Sequence, residues 1–297
     1  MIMRLQRTIK KRATFEGIGL HTGRVTKITL KPAPRDTGIV FIRTDRRTII
    51  KAHISSVVDT AFATTVGYNG TRIKTIEHLL STLAGIGIDN IIIEVNGPEI
   101  PILDGSSTEL VNVILKAGIS KQDGKRSYIR ITKPVTLNDG HTEVTAIPYN
   151  GRRLTYSIHF KHHSFGTQNL SLDLNEEVFI KDIAPARTFG FLKNVEMLRA
   201  NGLAKGGSLD NAIVIGDHGI LNETGLRFDD EFVRHKILDL IGDLSLLGYP
   251  IHGHIIADKA GHSSHIRFLR KLLSSVDSWE LVSRETELSQ CYAPVYT

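Results

Sequence analysis

Apolar positions along the chain alternate between two periods. Arg24–Pro32 and Ile39–Arg43 are rich in β-branched residues and end in turn formers, which predicts strands. Beyond Thr75, read as an N-cap, Ile76, Leu79, Leu80, Leu83 and Ala84 recur with helical spacing, and Gly85 and Gly87 are expected to end that helix. Asn90–Val95 reads as a buried strand, followed by a loop rich in Gly and Pro. Ser106 with Glu109 matches a capping box for a second helix that runs to Ala117 and closes at Gly118. The polar run Lys121–Arg126 is the best candidate for a linker.

The second half repeats this order. Strands are predicted at Tyr128–Ile131, Glu143–Ile147 and Arg153–Phe160. Asn194–Ile215 reads as an insertion holding a short helix, a Gly-Gly break and the strand AIVIG. A long helix is expected from about Asp230 to Leu247, stopped by Gly248 and Pro250. The strand HGHIIA, the loop DKAGHSS and a last helix over about Ser264–Val276 follow. Helix, glycine turn, apolar strand, Gly-containing loop and helix thus occur once per half. The expectation is an α+β fold made of a duplicated unit, as two layered domains over 1–123 and 127–297.

Composition narrows the class. Of 297 residues, 41% are hydrophobic and 23% charged, the balance of a globular chain. The single cysteine, Cys291, excludes an internal disulfide framework and a cysteine-rich zinc module. The longest stretch without Asp, Glu, Lys or Arg, Leu244–Ala257, falls short of the ~20 residues that a bilayer span needs. The basic cluster at residues 4–12 leads into no apolar signal segment, so a cytoplasmic protein without stable membrane insertion is expected. A formal charge of +6 attracts polyanions without choosing among them, and no nucleic-acid-binding signature is present. The 13 histidines say more, because several lie close to carboxylates, a pattern that points to metal or acid–base chemistry.

In the long helix, at ~100° per residue, His235, Asp239 and Asp243 share one stripe, while Val233, Ile237, Leu240, Ile241 and Leu244 gather opposite. An imidazole and a carboxylate four residues apart present ligands about 6 Å apart, suited to two corners of a zinc tetrahedron. The same residues also fit an ordinary ion pair on a solvated face. Leu238, Gly242 and Leu246 flank the stripe, which argues for burial and hence for polar partners. Glu77 and His78 in TIEHLL offer a third ligand beside a base: His78 for the metal and Glu77 for its water, or else a surface Glu and an interface His. His262, in AGHSSH at a strand-to-helix junction, fits a general acid supported by Asp243, or a histidine bonded to backbone at a helix end. In ARTFGF, Thr188 supplies a hydroxyl, and Phe189 and Phe191 an apolar wall or two core aromatics.

Together GIGLHTG (17–23), TIEHLLSTLAG (75–85), PILDGSS (101–107), ARTFGF (186–191), NETGLRFDDEFVRHKILDLIGDL (222–244) and the GH of AGHSSH resemble the zinc-dependent UDP-3-O-acyl-N-acetylglucosamine deacetylases of lipid A biosynthesis. The resemblance covers nearly the whole chain in the family's order. It implies two similar α/β domains stacked as a helix-sheet-sheet-helix sandwich, each with a small insertion. It implies one catalytic zinc ion on His78, His235 and Asp239, Glu77 as general base, His262 as general acid or oxyanion partner, and Asp243 as its support. Thr188 is similar to a hydroxyl that steadies the oxyanion, and Lys236 to a lysine that holds the sugar or its carbonyl. Phe160 and Lys259 fall near uridine-binding positions, and His21 near the site. The stretch 193–215 is expected to form a tunnel for the acyl chain. The implied substrate is a nucleotide sugar bearing a fatty acyl chain, taken by a monomer in the cytoplasm near the inner membrane surface. The alternative is a zinc amidase acting on a different acylated substrate. No HExxH motif is present, which disfavours zincin proteases.

Overall fold

The computed structural model describes residues 4–162 and 165–283, so Cys291 lies outside the described residues. Its helices, in chain order, are α1 (Glu77–Ile86), α2 (Thr108–Ala117), the single turn α3 (Glu176–Val178), α4 (Leu192–Ala200), α5 (Glu231–Leu244) and α6 (His262–Ser274). The expected duplication is present. In the first unit the central strand Ile91–Val95 pairs antiparallel with Val25–Pro32 and parallel with Ile39–Arg43. Ala13–Ile18 and Thr48–Lys51 close the edges of this five-stranded sheet. The second unit repeats the scheme. Its central strand Ile251–Asp258 pairs antiparallel with Glu143–Ile147 and parallel with Arg152–His162. Val135–Asn138 and Phe165–Asp173 flank them, and Tyr128–Ile131 and Trp279–Val282 extend the sheet. A helix precedes and follows each central strand: α1 and α2 in the first unit, α5 and α6 in the second. Each unit also carries a small three-stranded sheet ahead of its first helix, over 57–73 and 189–220.

The layer order differs from the expected helix-sheet-sheet-helix stack. The helices α1 and α5 lie inside, packed on each other, and the sheets outside. Nine of the ten residues of α1 and eleven of the fourteen of α5 are buried, which an outer helix with a solvated face cannot be. The inner sheet strands alternate buried and half-exposed positions, as sheets covered on one face do. One glycine sets the spacing of the inner helices, and another seats α1 against the Phe179 ring. A Cβ on Gly242 of α5 would stand 2.2 Å from the carbonyl oxygen of Glu77, and one on Gly85 of α1 would stand 2.2 Å from the Phe179 ring. The first helix of one unit therefore crosses its counterpart at van der Waals distance, and one continuous apolar core joins the two units.

Local features also depart from expectation. Lys121–Arg126 is not a free linker: Ile119–Lys125 forms a strand antiparallel to Leu5–Ile9, which otherwise has an unpaired edge. Ser106 does not form a capping box with Glu109, because its hydroxyl donates to Asp104 and α2 begins two residues later. Thr75 does not cap α1. It sits at φ 59°, an unusual conformation for a β-branched residue, and its hydroxyl donates to Glu99 Oε1 at 2.8 Å. Gly85 lies inside α1, which ends at Gly87 in the left-handed conformation. The last helix starts at His262, two residues earlier than expected. Among the described residues, no helix is long and apolar enough to cross a membrane.

Candidate active site

The crossing of α1 and α5 brings the two halves' chemistry together. His78 in the first turn of α1 meets His235 and Asp239, one turn apart on α5, and one ligand atom from each lies within 4.8 Å of the others. All three side chains are buried. The imidazole Nε2 atoms of His78 and His235 stand 3.7 and 3.5 Å from Asp239 Oδ1, beyond the about 2.7–3.2 Å of a good hydrogen bond. Burial keeps both imidazoles neutral, pushing His78 down to about 3 and His235 also downward. Burial alone would keep Asp239 protonated, but Lys236 and the surrounding histidines outweigh it and hold the carboxyl well below its usual range. Two neutral imidazoles thus turn toward an ionised carboxylate at distances too long for hydrogen bonds, and a cation between them would engage all three. The His235 Nδ1–H donates to Ala186 O at 3.1 Å, which leaves Nε2 as the ligand atom. The residues present fit a divalent metal ion.

Glu77 and His262 stand beside this group. His262 Nε2 is 4.0 Å from both Glu77 Oε1 and Asp239 Oδ2. Burial lifts the Glu77 carboxyl to about 7, with Asp239 and Asp243 adding to the effect and His262 opposing it. The backbone N–H of Thr64 donates to Glu77 Oε2 at 3.0 Å. Burial works against the charged form of His262, yet the Asp243 carboxylate, accepting its Nδ1–H at 2.8 Å, raises it to about 9. Asp243 has no exposed surface. It also accepts from the Thr64 hydroxyl at 2.6 Å and from His265 Nδ1 at 2.8 Å, and His262 followed by His265 holds its carboxyl near 2 despite burial. Near neutral pH the site therefore holds an imidazolium facing a carboxyl poised to accept a proton.

Lys236 lies beside the ligand set, its Nζ 2.8 Å from Asp239 Oδ2 and 5.5 Å from the Phe189 ring centre. Phe189 also packs against His235, and Phe160 touches both Phe189 and Phe191, so these three aromatics form one wall next to the imidazole. Thr188 is half-buried, two residues beyond the carbonyl that orients His235. His21 is buried, and its loop is pinned by Glu99, which accepts from the backbone N–H of His21 and Thr22. Loop 204–206 of the insertion docks on this same loop through Lys205 N–H to His21 O and Gly206 N–H to Leu20 O. Lys259, at φ 49° past the end of the central strand, is exposed, and no contact brings it to the other site residues among those described.

Three contributors went unread in the sequence. Thr64 joins Glu77, Asp243 and His262 from the preceding small sheet, and nothing periodic in DTAFATT marks it. Glu99 is a fully buried carboxylate tying the His21 loop to Thr75. Arg187 and Glu231 form a buried ion pair that locks the Ala186–Thr188 segment to the first turn of α5. Arg187 stood inside the quoted motif, but its partner is 44 residues away.

A cation-binding donor set beside a proton acceptor and a proton donor is the equipment of a metal-assisted hydrolase. Sequence comparison narrows that class. The family model LpxC, UDP-3-O-acyl N-acetylglycosamine deacetylase, matches residues 6–274, and the chain belongs to this family. It is 54% identical over 273 residues to the UDP-3-O-acyl-N-acetylglucosamine deacetylase of Thermodesulfovibrio yellowstonii, covering 92% of this chain and 93% of that one. The enzymes of the same name from Syntrophotalea carbinolica and Geobacter sp. strain M21 are 50% and 48% identical. Those alignments cover 93% and 94% of this chain, and 90% and 92% of the relatives.

Proposed function

We propose that the protein removes the N-acetyl group from UDP-3-O-acyl-N-acetylglucosamine, releasing acetate and the free amine for lipid A biosynthesis, with zinc on His78, His235 and Asp239. The observation that carries this reading is the convergence of those three side chains, from two halves of the chain, beside Glu77 and His262. When bound, the ion supplies Lewis-acid polarisation of the acetamide carbonyl and lowers the pKa of water to ~7. Glu77, lifted to about 7, accepts the proton of the attacking water. His262, charged at neutral pH, donates a hydrogen bond to the developing oxyanion and then delivers its proton to the departing nitrogen. Without that proton the amine is a poor leaving group. Asp243 holds His262 charged and aimed, acting as a positioning residue.

The Thr188 hydroxyl steadies the oxyanion, and Lys236 holds the sugar or its carbonyl. Phe189 and Phe191 form the apolar wall of the substrate site, and Phe160 and Lys259 contribute to uridine binding. His21 lies near the site. The insertion over 193–215 exposes Met197 and Leu209, with Leu192 and Leu221 exposed at its flanks, an apolar surface suited to a fatty acyl chain. A cytoplasmic protein meeting such a substrate works close to the inner membrane surface.

Elemental analysis of the purified protein, paired with deacetylase assays with and without chelator, tests the reading. One zinc per chain and activity lost on chelation and restored by zinc are expected. Deacetylation that survives removal of all metal would refute it, and cleavage of another acylated amide in preference to the UDP-sugar would favour the alternative substrate.

A further inference from the structure

At the opposite end of α1 from Glu77 and His78 lies a group of arginines short of carboxylates. Arg4, Arg7, Arg126 and Arg152 line a cavity of about 270 Å3 together with Tyr128 and His252. Arg126 and Arg152 also line an adjoining cavity of about 430 Å3 between the two units. The acidic partners are few. Asp89 pairs with Arg126 Nε at 2.5 Å and Arg4 Nη2 at 3.5 Å, and also accepts the Arg7 backbone N–H. Glu176 pairs with Arg7 at 2.8 Å. The carbonyl oxygens of Gly87 and Ile86, at the negative end of the α1 dipole, accept from Arg4 and Arg7. Arg152 has no ion pair or side-chain hydrogen bond among the described residues. Four guanidinium groups thus face two carboxylates, the two that border both cavities share one, and the larger cavity's remaining charged lining, Asp36 and Lys51, balances itself.

The imbalance is felt locally. Burial and the neighbouring arginines push Arg126 and Arg152 each down to about 10, while burial with Arg152, Arg126 and Arg130 pushes His252 down to about 4. Uncompensated charge in a partly desolvated cleft is costly, so a counter-charge placed there gains more than it would on open surface. Paired guanidiniums match phosphate oxygens in geometry as well as charge. The larger cavity continues past the arginines along Leu154, Leu174, Ile241 and Leu244, which leaves room for an organic group behind the anion.

We propose that these adjoining cavities form a second ligand site, for the phosphate group of a small phosphomonoester or of inorganic phosphate, with Arg126 and Arg152 as its clamp. The site shares no residue with the metal centre and joins the two units across their common core.

Titration calorimetry on the metal-loaded full chain, with inorganic phosphate in one arm and glycerol 3-phosphate in another, tests it. Saturable one-site binding is expected, with a melting temperature raised by about 3 °C at ten times Kd. Tighter binding of glycerol 3-phosphate would identify an organic ester as the ligand type, and equal binding would identify phosphate alone. Arg152→Gln, which breaks no ion pair, is expected to weaken binding at least tenfold while deacetylation continues unchanged. That loss also separates this site from phosphate held at the candidate active site. Should Arg152→Gln fail to fold, Arg152→Lys keeps the charge but not the fork, and is expected to bind severalfold more weakly. Unchanged affinity in the variant, or an equal rise in melting temperature from chloride at matched ionic strength, would overturn the proposal.

Discussion

The most informative perturbation is Asp243→Asn, because it alters a charge and leaves the metal ligands and the Glu77 carboxylate in place. Asp243, with smaller contributions from Asp239 and Glu77, raises His262 against burial from an ordinary 6.5 to about 9. At ~1.4 kcal/mol per pKa unit, that is ~3 kcal/mol of preference for the imidazolium. At pH 7.5 a group with that pKa is ~97% charged. With the carboxylate replaced by an amide, burial becomes the leading influence on His262, and its pKa drops to 6.5 or below. The charged fraction at pH 7.5 then falls to ~10% or less, so kcat/KM is expected to fall at least ~10-fold there. The alkaline limb of the pH profile should move down by at least ~2 pH units, a difference that a bound cation, lowering His262 in both proteins, leaves in place. The sign for stability agrees: a folded pKa above 6.5 contributes stability in full below pH 6.5, lost as pH rises through about 9. The assay is kcat/KM against pH for both proteins, with zinc content measured in parallel and expected to be equal. An alkaline limb in the variant unmoved from the wild type's, or a loss at pH 7.5 of less than threefold, would refute the assignment of His262 as the proton donor held by Asp243.

Other outcomes follow from the same geometry. Glu77→Gln keeps the helix packing and should retain zinc while losing 10²- to 10⁴-fold in kcat, the usual span for a general base; near-normal turnover would remove Glu77 from that role. In the wild type the acid limb of the pH profile belongs to Glu77, which must be ionised to accept a proton, and a bound cation should set it below the about 7 of the metal-free carboxyl. His78→Ala should lower zinc stoichiometry, and full occupancy by elemental analysis would count against it as a ligand. Gly242→Ala forces a methyl group against the Glu77 carbonyl and should cost ~2 kcal/mol, seen as a lower melting temperature together with weaker zinc retention. Unchanged stability and zinc affinity there would show that the helix crossing tolerates separation.

Helix and strand types were legible in the sequence because each rests on local periodicity. The spacing of Ile76, Leu79, Leu80 and Leu83 describes α1, and the alternating or continuous apolar runs describe the central strands. His235 and Asp239 could be paired from their separation alone, since i and i+4 share a helix face in any α-helix. The cap misread at Thr75 shows where locality fails, and the one at Ser106 shows two local acceptors in competition. Each hydroxyl had a competing acceptor, Glu99 or Asp104, and the remote carboxylate claimed Thr75. The layer order failed for a related reason. That order rested on the resemblance alone, because an apolar stripe says that a face is covered but not by which surface, and α1 is covered on nearly every side.

By itself the sequence determined the elements, the repeat and the residue types able to bind a cation and move a proton, because these depend on neighbours a few positions away. Only the tertiary structure decided that His78 meets His235, that Thr64 and His262 share one buried carboxylate, and that four arginines gather with too few acids. The first two relations depend on the close crossing at Gly242, which buries these groups; burial neutralises His78 and His235, while neighbouring charges outweigh it at Asp239, Asp243 and His262.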